Sequence, residues 1–134
     1  MQCPALTHLN LGDNNIGNAG AEAIGRVLGQ CAALTHLNLN GNHIDTGVMR
    51  LAGQFSALSF LALDKNNLGN VKGFAAVLVH CSSLTHLSLE ENGIRDAEAA
   101  IIAPVLQQCP ALGHLNLRSA TIGSDHTGLR RLQE

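Results

Sequence analysis

Four histidines recur in one local setting: His8, His36, His86 and His114 each precede a leucine, and each follows a cysteine by five residues, as Cys3, Cys31, Cys81 and Cys109. Imidazole and thiolate are the soft ligands that transition metals prefer, so a repeated Cys-x4-His invites a zinc reading. Imidazoles on neighbouring strands lie within about 5 Å of each other, close enough for His8 with His36, or His86 with His114, to share a metal or to resist protonation as a pair. The bland alternative is a duplicated unit that leaves neutral imidazoles stacked on a solvated surface. The elements that carry these residues decide among the three.

Those elements follow from a repeat. Leu-x-x-Leu-x-Leu begins at Leu6, Leu34, Leu58, Leu84 and Leu112, with offsets of 28, 24, 26 and 28 residues. Within each copy the last two leucines, such as Leu9 and Leu11, alternate with period two, which turns them inward from a short strand and turns His8 and Asn10 outward. An asparagine follows at Asn14, Asn42, Asn66 and Asn92, where an amide side chain can satisfy backbone groups left unpaired by a turn. Ile16, Ile44, Leu68, Ile94 and Ile122 then close the core. In the 28-residue copies, Ile24 with Leu28 and Ile102 with Leu106 recur four apart, as the inner stripe of a helix does. A self-similar period of this length stacks its strands into one parallel sheet, with the helices behind it. Strands stack at about 4.8 Å and helices at about 8 to 10 Å, so the sheet must line the inside of a curve. The second and third copies are expected to carry shorter convex elements. Asp96 is read as an N-cap, and Pro104 is expected to kink or break the helix that follows it.

The copies CPALTHLNL, CAALTHLNL, CSSLTHLSL and CPALGHLNL, preceded by helical segments, resemble the ribonuclease-inhibitor-like class of leucine-rich repeats, as found in NOD-like receptors and similar cytosolic proteins. The resemblance covers essentially the whole chain. It implies a curved α/β solenoid, a right-handed horseshoe segment that binds other macromolecules. Phe55 in place of the recurring cysteine and Ala120 in place of the ladder asparagine depart from it. The expected organisation is a single domain of five repeats, 1–30, 31–54, 55–80, 81–108 and 109–134, as a fragment of a longer chain.

In this frame each cysteine points into the core and each histidine points out of the sheet, so the two cannot share a metal and no metal or other cofactor is expected. The outward rows run His8, His36, Phe60, His86, His114 and then Asn10, Asn38, Ala62, Ser88, Asn116. Beyond them Asp13, Asp64, Glu90 and Glu91 outnumber Lys65 and Arg118, a lip that favours a basic partner. The candidate partner-binding set is His36, Asn38, Phe60, Asp64, His86, Ser88 and Glu90, centred on Phe60. No nucleophile elbow, phosphate-binding loop, dinucleotide fingerprint or zinc-protease helix is present in the sequence, so a protein-interaction module is expected rather than an enzyme.

Composition narrows the partner. A net charge of -2 with only 8 basic residues gives no field for nucleic acid. No apolar run reaches the roughly 20 residues that span a bilayer. The four cysteines, at equivalent points of separate repeats, read as free thiols in a reducing cytoplasm. Two rival roles remain: self-assembly through an uncapped first repeat, giving a homo-oligomer, and metal or pH sensing by the histidine row.

Overall fold

The computed structural model describes residues 3–45, 56–68 and 71–120. Its elements run β1 (His8–Asn10), α1 (Gly17–Leu28), β2 (His36–Asn38), β3 (Phe60–Ala62), α2 (Val71–Leu78), β4 (His86–Ser88), α3 (Asp96–Leu106) and β5 (His114–Asn116). The five strands form one parallel sheet in sequence order. Their registers pair equivalent positions throughout: His8 with His36, His36 with Phe60, Phe60 with His86, and His86 with His114. The α/β solenoid is therefore the fold, with its sheet built in the anticipated rows.

Each strand is only three residues long because a single inward leucine lies between two outward residues. Leu37, Leu61 and Leu87 are almost wholly buried, as are Leu39, Leu63 and Leu89 just past the strands. Pairing continues beyond the strands: the amides of Leu11, Leu39, Leu63 and Leu89 each donate at 2.9 Å to a carbonyl of the next strand. Two positions further along, Asp13, Gly41, Lys65, Glu91 and Ser119 all adopt left-handed backbone, with φ between 52° and 63°. Only Gly41 has no Cβ to strain there, so the turn is imposed on four ordinary residues by the stacking around it.

The asparagines supply what the turn needs. Asn42 is fully buried; its Oδ1 accepts the amides of Asn14 and Ile16 at 3.0 and 3.2 Å, and its Nδ2 donates to Leu11, Leu39 and Asn40 carbonyls at 2.8 to 3.1 Å. Asn66 repeats the pattern one repeat on, accepting from Asn42 and Ile44 and donating to Leu39, Leu63 and Asp64. One side chain thus joins the turns of two repeats. Asn92 donates to Leu63 and Glu90, but its buried Oδ1 has no donor among the described residues.

The cysteines close the opposite corner. Cys31, Cys81 and Cys109 are buried, and their thiols donate back to Val27, Val77 and Val105 carbonyls at 3.6 to 3.8 Å, at the frayed ends of the helices. Backbone turns from Cys31 to Leu34, from Cys81 to Leu84 and from Cys109 to Leu112 then lead into the strands. Burial pushes the thiols of Cys31 and Cys109 up from their usual range and that of Cys81 up to about 12, so these groups stay protonated.

The helices pack behind the sheet. Ala21, Gly25 and Leu28 of α1 are buried, and Ile24 lies half-buried beside them. α1 has 12 residues and α3 has 11, while α2 is described over the 8 residues Val71–Leu78, directly after residues 69–70, which lie outside the described ones. The second repeat's convex element, together with Phe55, Ile122 and the segment after it, lies outside the described residues.

Two expectations about α3 are corrected. Pro104 does not break it: the helix runs unbroken from Asp96 to Leu106 with Pro104 inside. The proline stands in the last turn, so only two helical residues follow it, and Ala99, Ile102 and Ala103 already anchor the preceding turns in the core. Asp96 is not the cap but the first helical residue. The extended residue Arg95 precedes it, and the Arg95 amide is satisfied by the Glu98 carboxylate at 2.9 Å.

Candidate functional site on the concave sheet

The outward faces of β1 to β5 carry a continuous column of rings. His8 stacks on His36 at 3.9 Å between centroids, and His86 on His114 at 4.2 Å, with interplanar angles of 15° and 16°. Phe60 stands between the pairs at 5.6 Å from His36 and 6.0 Å from His86. In-register parallel pairing puts equivalent side chains one strand spacing apart, which is the stacking distance of flat rings.

The threonines before His36 and His86 bear on where the proton sits. Thr35 Oγ1 donates to the Thr7 carbonyl at 3.3 Å, and Thr85 Oγ1 donates to the Ser59 carbonyl at 2.9 Å. Each hydroxyl also lies 2.8 Å from the Nδ1 of the following histidine. A hydroxyl has one proton, already directed to a carbonyl, so Nδ1 must be the donor of the second bond. In this network the neutral imidazoles of His36 and His86 are assigned a proton on Nδ1, which leaves Nε2 as the acceptor. The Thr-His order in the sequence contains this signal, but reading it required the cross-strand carbonyl.

Stacked rings do not make a chelate. Lone pairs of near-parallel rings point the same way, whereas two ligands of one ion must converge on it. Among the described residues no group of three or more His, Cys, Asp or Glu is placed to hold a metal. The Cys-x4-His pairs are separated as anticipated, with thiols in the core and imidazoles on the surface.

Stacking does affect protonation. Partial burial, and then the like charges of His8 and His86, hold the His36 imidazole below its ordinary value of 6.5. The unfolded chain takes up this proton near 6.5 and the native chain only at lower pH, so the contribution is complete above 6.5 and is lost as pH falls below it. The melting temperature is expected to drop between about pH 7.5 and 5.5, and His36→Asn to make that drop smaller. An identical pH profile in the variant would place the acid sensitivity on other groups.

The polar row is tied down. Asn38 Oδ1 accepts the Asn40 amide at 2.9 Å, and Asn116 Oδ1 accepts that of Arg118 at 2.9 Å. Asp64 Oδ1 accepts from Ser88 Oγ at 2.5 Å and from the Glu90 amide at 2.7 Å. Glu90 in turn receives Asn116 Nδ2 at 3.2 Å and lies 3.9 Å from Arg118. Asp64, Ser88 and Glu90, candidate partner-binding residues from the sequence, belong to a half-buried network that also includes Asn40 and Asn116. Sequence position gave their side of the sheet but not these bonds, which join four successive repeats.

Two hollows flank Phe60. One, of about 280 Å³, is lined by His8, Asn10, His36, Asn38 and Phe60; the other, of about 430 Å³, by Phe60, His86, Ser88, His114 and Asn116. All seven residues expected from sequence lie on the concave side, and five of them line a hollow. His8, Asn10, His114 and Asn116 were not in that set, although the same rows contain them.

A family model described as "Leucine Rich repeat" matches residues 2–25, 30–52 and 80–97. No curated protein matches the sequence. Among solved structures, a chain titled "Leiomodin-1 Actin-Binding Site 2 (ABS2)" superposes with a TM-score of 0.71 at 18% identity, covering 97% of this chain and 80% of that one. An internalin from Listeria monocytogenes gives 0.46 at 18% identity, covering 95% and 45%. At such identities the likeness to leiomodin is one of fold. The stacked strands, the asparagine ladder and the family match together make this chain a leucine-rich-repeat protein of the ribonuclease-inhibitor-like type.

Proposed function

We infer that the chain binds another protein through its concave sheet, without catalysing a reaction on it. Leucine-rich-repeat domains are generally protein-interaction modules. The observation that carries the reading is Phe60: a half-exposed aromatic ring at the middle strand, with a hollow on each side, is the arrangement of an anchor around which a partner's side chains seat. His36, Asn38, His86 and Ser88 surround it, and Asp64 and Glu90 form the rim. Leiomodin offers a parallel, since the chain of this fold is titled for an actin-binding site. The protonated core thiols suit a reducing, cytoplasmic setting. Among the described residues no helix is long and apolar enough to cross a membrane. A second copy of the chain is the competing partner.

The test is site-resolved photo-cross-linking. A photoreactive phenylalanine at position 60 is expected to capture a partner that the same group at Arg26, on exposed α1, or at Lys72, on α2, does not. Equal capture from all three positions would remove the concave face as the site. Capture of the chain by itself would establish the second copy.

A further inference from the structure

The larger hollow has a chemistry of its own, and the inference drawn from it rests on the concave-face reading above. Apart from the ring of His114, its donors are already engaged. Ser88 Oγ donates to Asp64, and both protons of the Asn116 amide are directed away, to Ser88 Oγ at 2.9 Å and Glu90 Oε2 at 3.2 Å. The Nδ1 proton of His86 is held by Thr85, and the backbone amides of Gly113 and His114 both donate to the Thr85 carbonyl at 3.0 Å. Acceptors are among the side-chain groups left to meet a ligand: the Nε2 lone pair of His86 and, behind Ser88 and Asn116 and outside the lining itself, the carboxylates of Asp64 and Glu90. His114 follows Gly113 rather than a threonine, so no neighbouring hydroxyl fixes its tautomer and it can turn a second lone pair inward.

The hollow on the other side of Phe60 differs. Asn10 and Asn38 each accept a backbone amide through Oδ1, at 3.0 and 2.9 Å, and their side-chain amide protons have no partner among the described residues. That side offers donors and acceptors together. Only the side of His86 and Asn116 is acceptor-rich with carboxylates behind it. The chain already shows which group suits the carboxylates, since the guanidinium of Arg118 lies 3.9 Å from Glu90.

We propose that the hollow between Phe60, His86 and Asn116 receives an arginine side chain of a partner protein. A guanidinium has five donors and no acceptor, so it can satisfy such a site without leaving a buried group unpaired. It is also flat and weakly hydrated, and the ring of Phe60 forms an apolar, cation-attracting wall beside it. A volume of about 430 Å³ admits one such side chain.

The experiment titrates the isotopically labelled, unaltered chain with two capped tripeptides, Gly-Arg-Gly and Gly-citrulline-Gly, and follows side-chain resonances. Citrulline keeps the shape but replaces the cation with a neutral urea that brings its own acceptor. The arginine peptide is expected to move Phe60, His86 and His114 while leaving Asn10 unmoved, and to bind about 10-fold or more tighter than the citrulline peptide. Glu90→Gln should weaken the arginine peptide and leave the citrulline peptide unchanged. Equal response to both peptides, shifts centred on His8 and Asn10, or no response at about 10 mM peptide would overturn the assignment. Failure here with Phe60 cross-links intact removes only the arginine; cross-links independent of position remove the concave face itself.

Discussion

Replacing Asn42 with alanine is expected to lower the stability of the chain by about 3 to 5 kcal/mol, because the change strands several buried backbone groups at once. The amides of Asn14 and Ile16 lose their acceptor, and the carbonyls of Leu11, Leu39 and Asn40 lose a donor. Each buried group left without a partner costs about 1 to 3 kcal/mol, and alanine leaves too little room for water to replace the whole amide. Asn14→Ala is the internal control. That residue is exposed, and its amide donates only to Leu11 and Gly12 of its own turn, so a cost within about 1 kcal/mol is expected. Denaturant melts of the two variants make the comparison. Equal losses would mean that the amide serves its own turn and does not join repeats.

Leu61→Ala should cost a similar amount, about 2 to 5 kcal/mol, for a different reason. Leu61 is fully buried at the middle of the sheet, with Leu37 and Leu87 as its strand partners, so truncation leaves a cavity that cannot collapse without shifting two strands. Lys72→Ala on the exposed side of α2 should change the melting midpoint little. Because a solenoid's stability is nearly a sum of neighbour interfaces, a central cavity weakens two junctions and should also reduce the cooperativity of unfolding. A small effect at Leu61 equal to that at Lys72 would show that the leucines are not one continuous core. Glu90→Lys belongs with neither class. Although sequence position makes it a surface change, its bonds to Asn116 and Arg118 mean that it would disturb the lip as well as any partner.

Most of the scaffold was legible because it depends on local period. Two-residue alternation at Leu9 and Leu11 determines which side faces the core, and repetition of that pattern at equivalent points determines the register of every strand pair. The ladder asparagines could be assigned a structural role for the same reason: one residue type recurring where a turn must satisfy its backbone. The cysteines followed from geometry alone, since a position between helix and strand points inward whatever occupies it.

Properties that depend on neighbouring repeats were not legible. Pro104 has an unfavourable local propensity, yet α3 continues through it because the core contacts of Ala99 and Ile102 outweigh one lost hydrogen bond near a helix end. The bonds that lock Asp64 to Ser88 and Glu90, and Glu90 to Asn116, span 24 to 26 residues of sequence. No pattern within a single repeat contains them. The tautomers of His36 and His86 likewise depend on carbonyls of the preceding strand, those of Thr7 and Ser59. The sequence by itself determined which side chains line the concave sheet, since inside and outside are set by alternation along one strand. Tertiary structure alone decided which of those groups are already bonded and which lone pairs remain for a partner, because hydrogen bonds are directional and their partners lie one strand away.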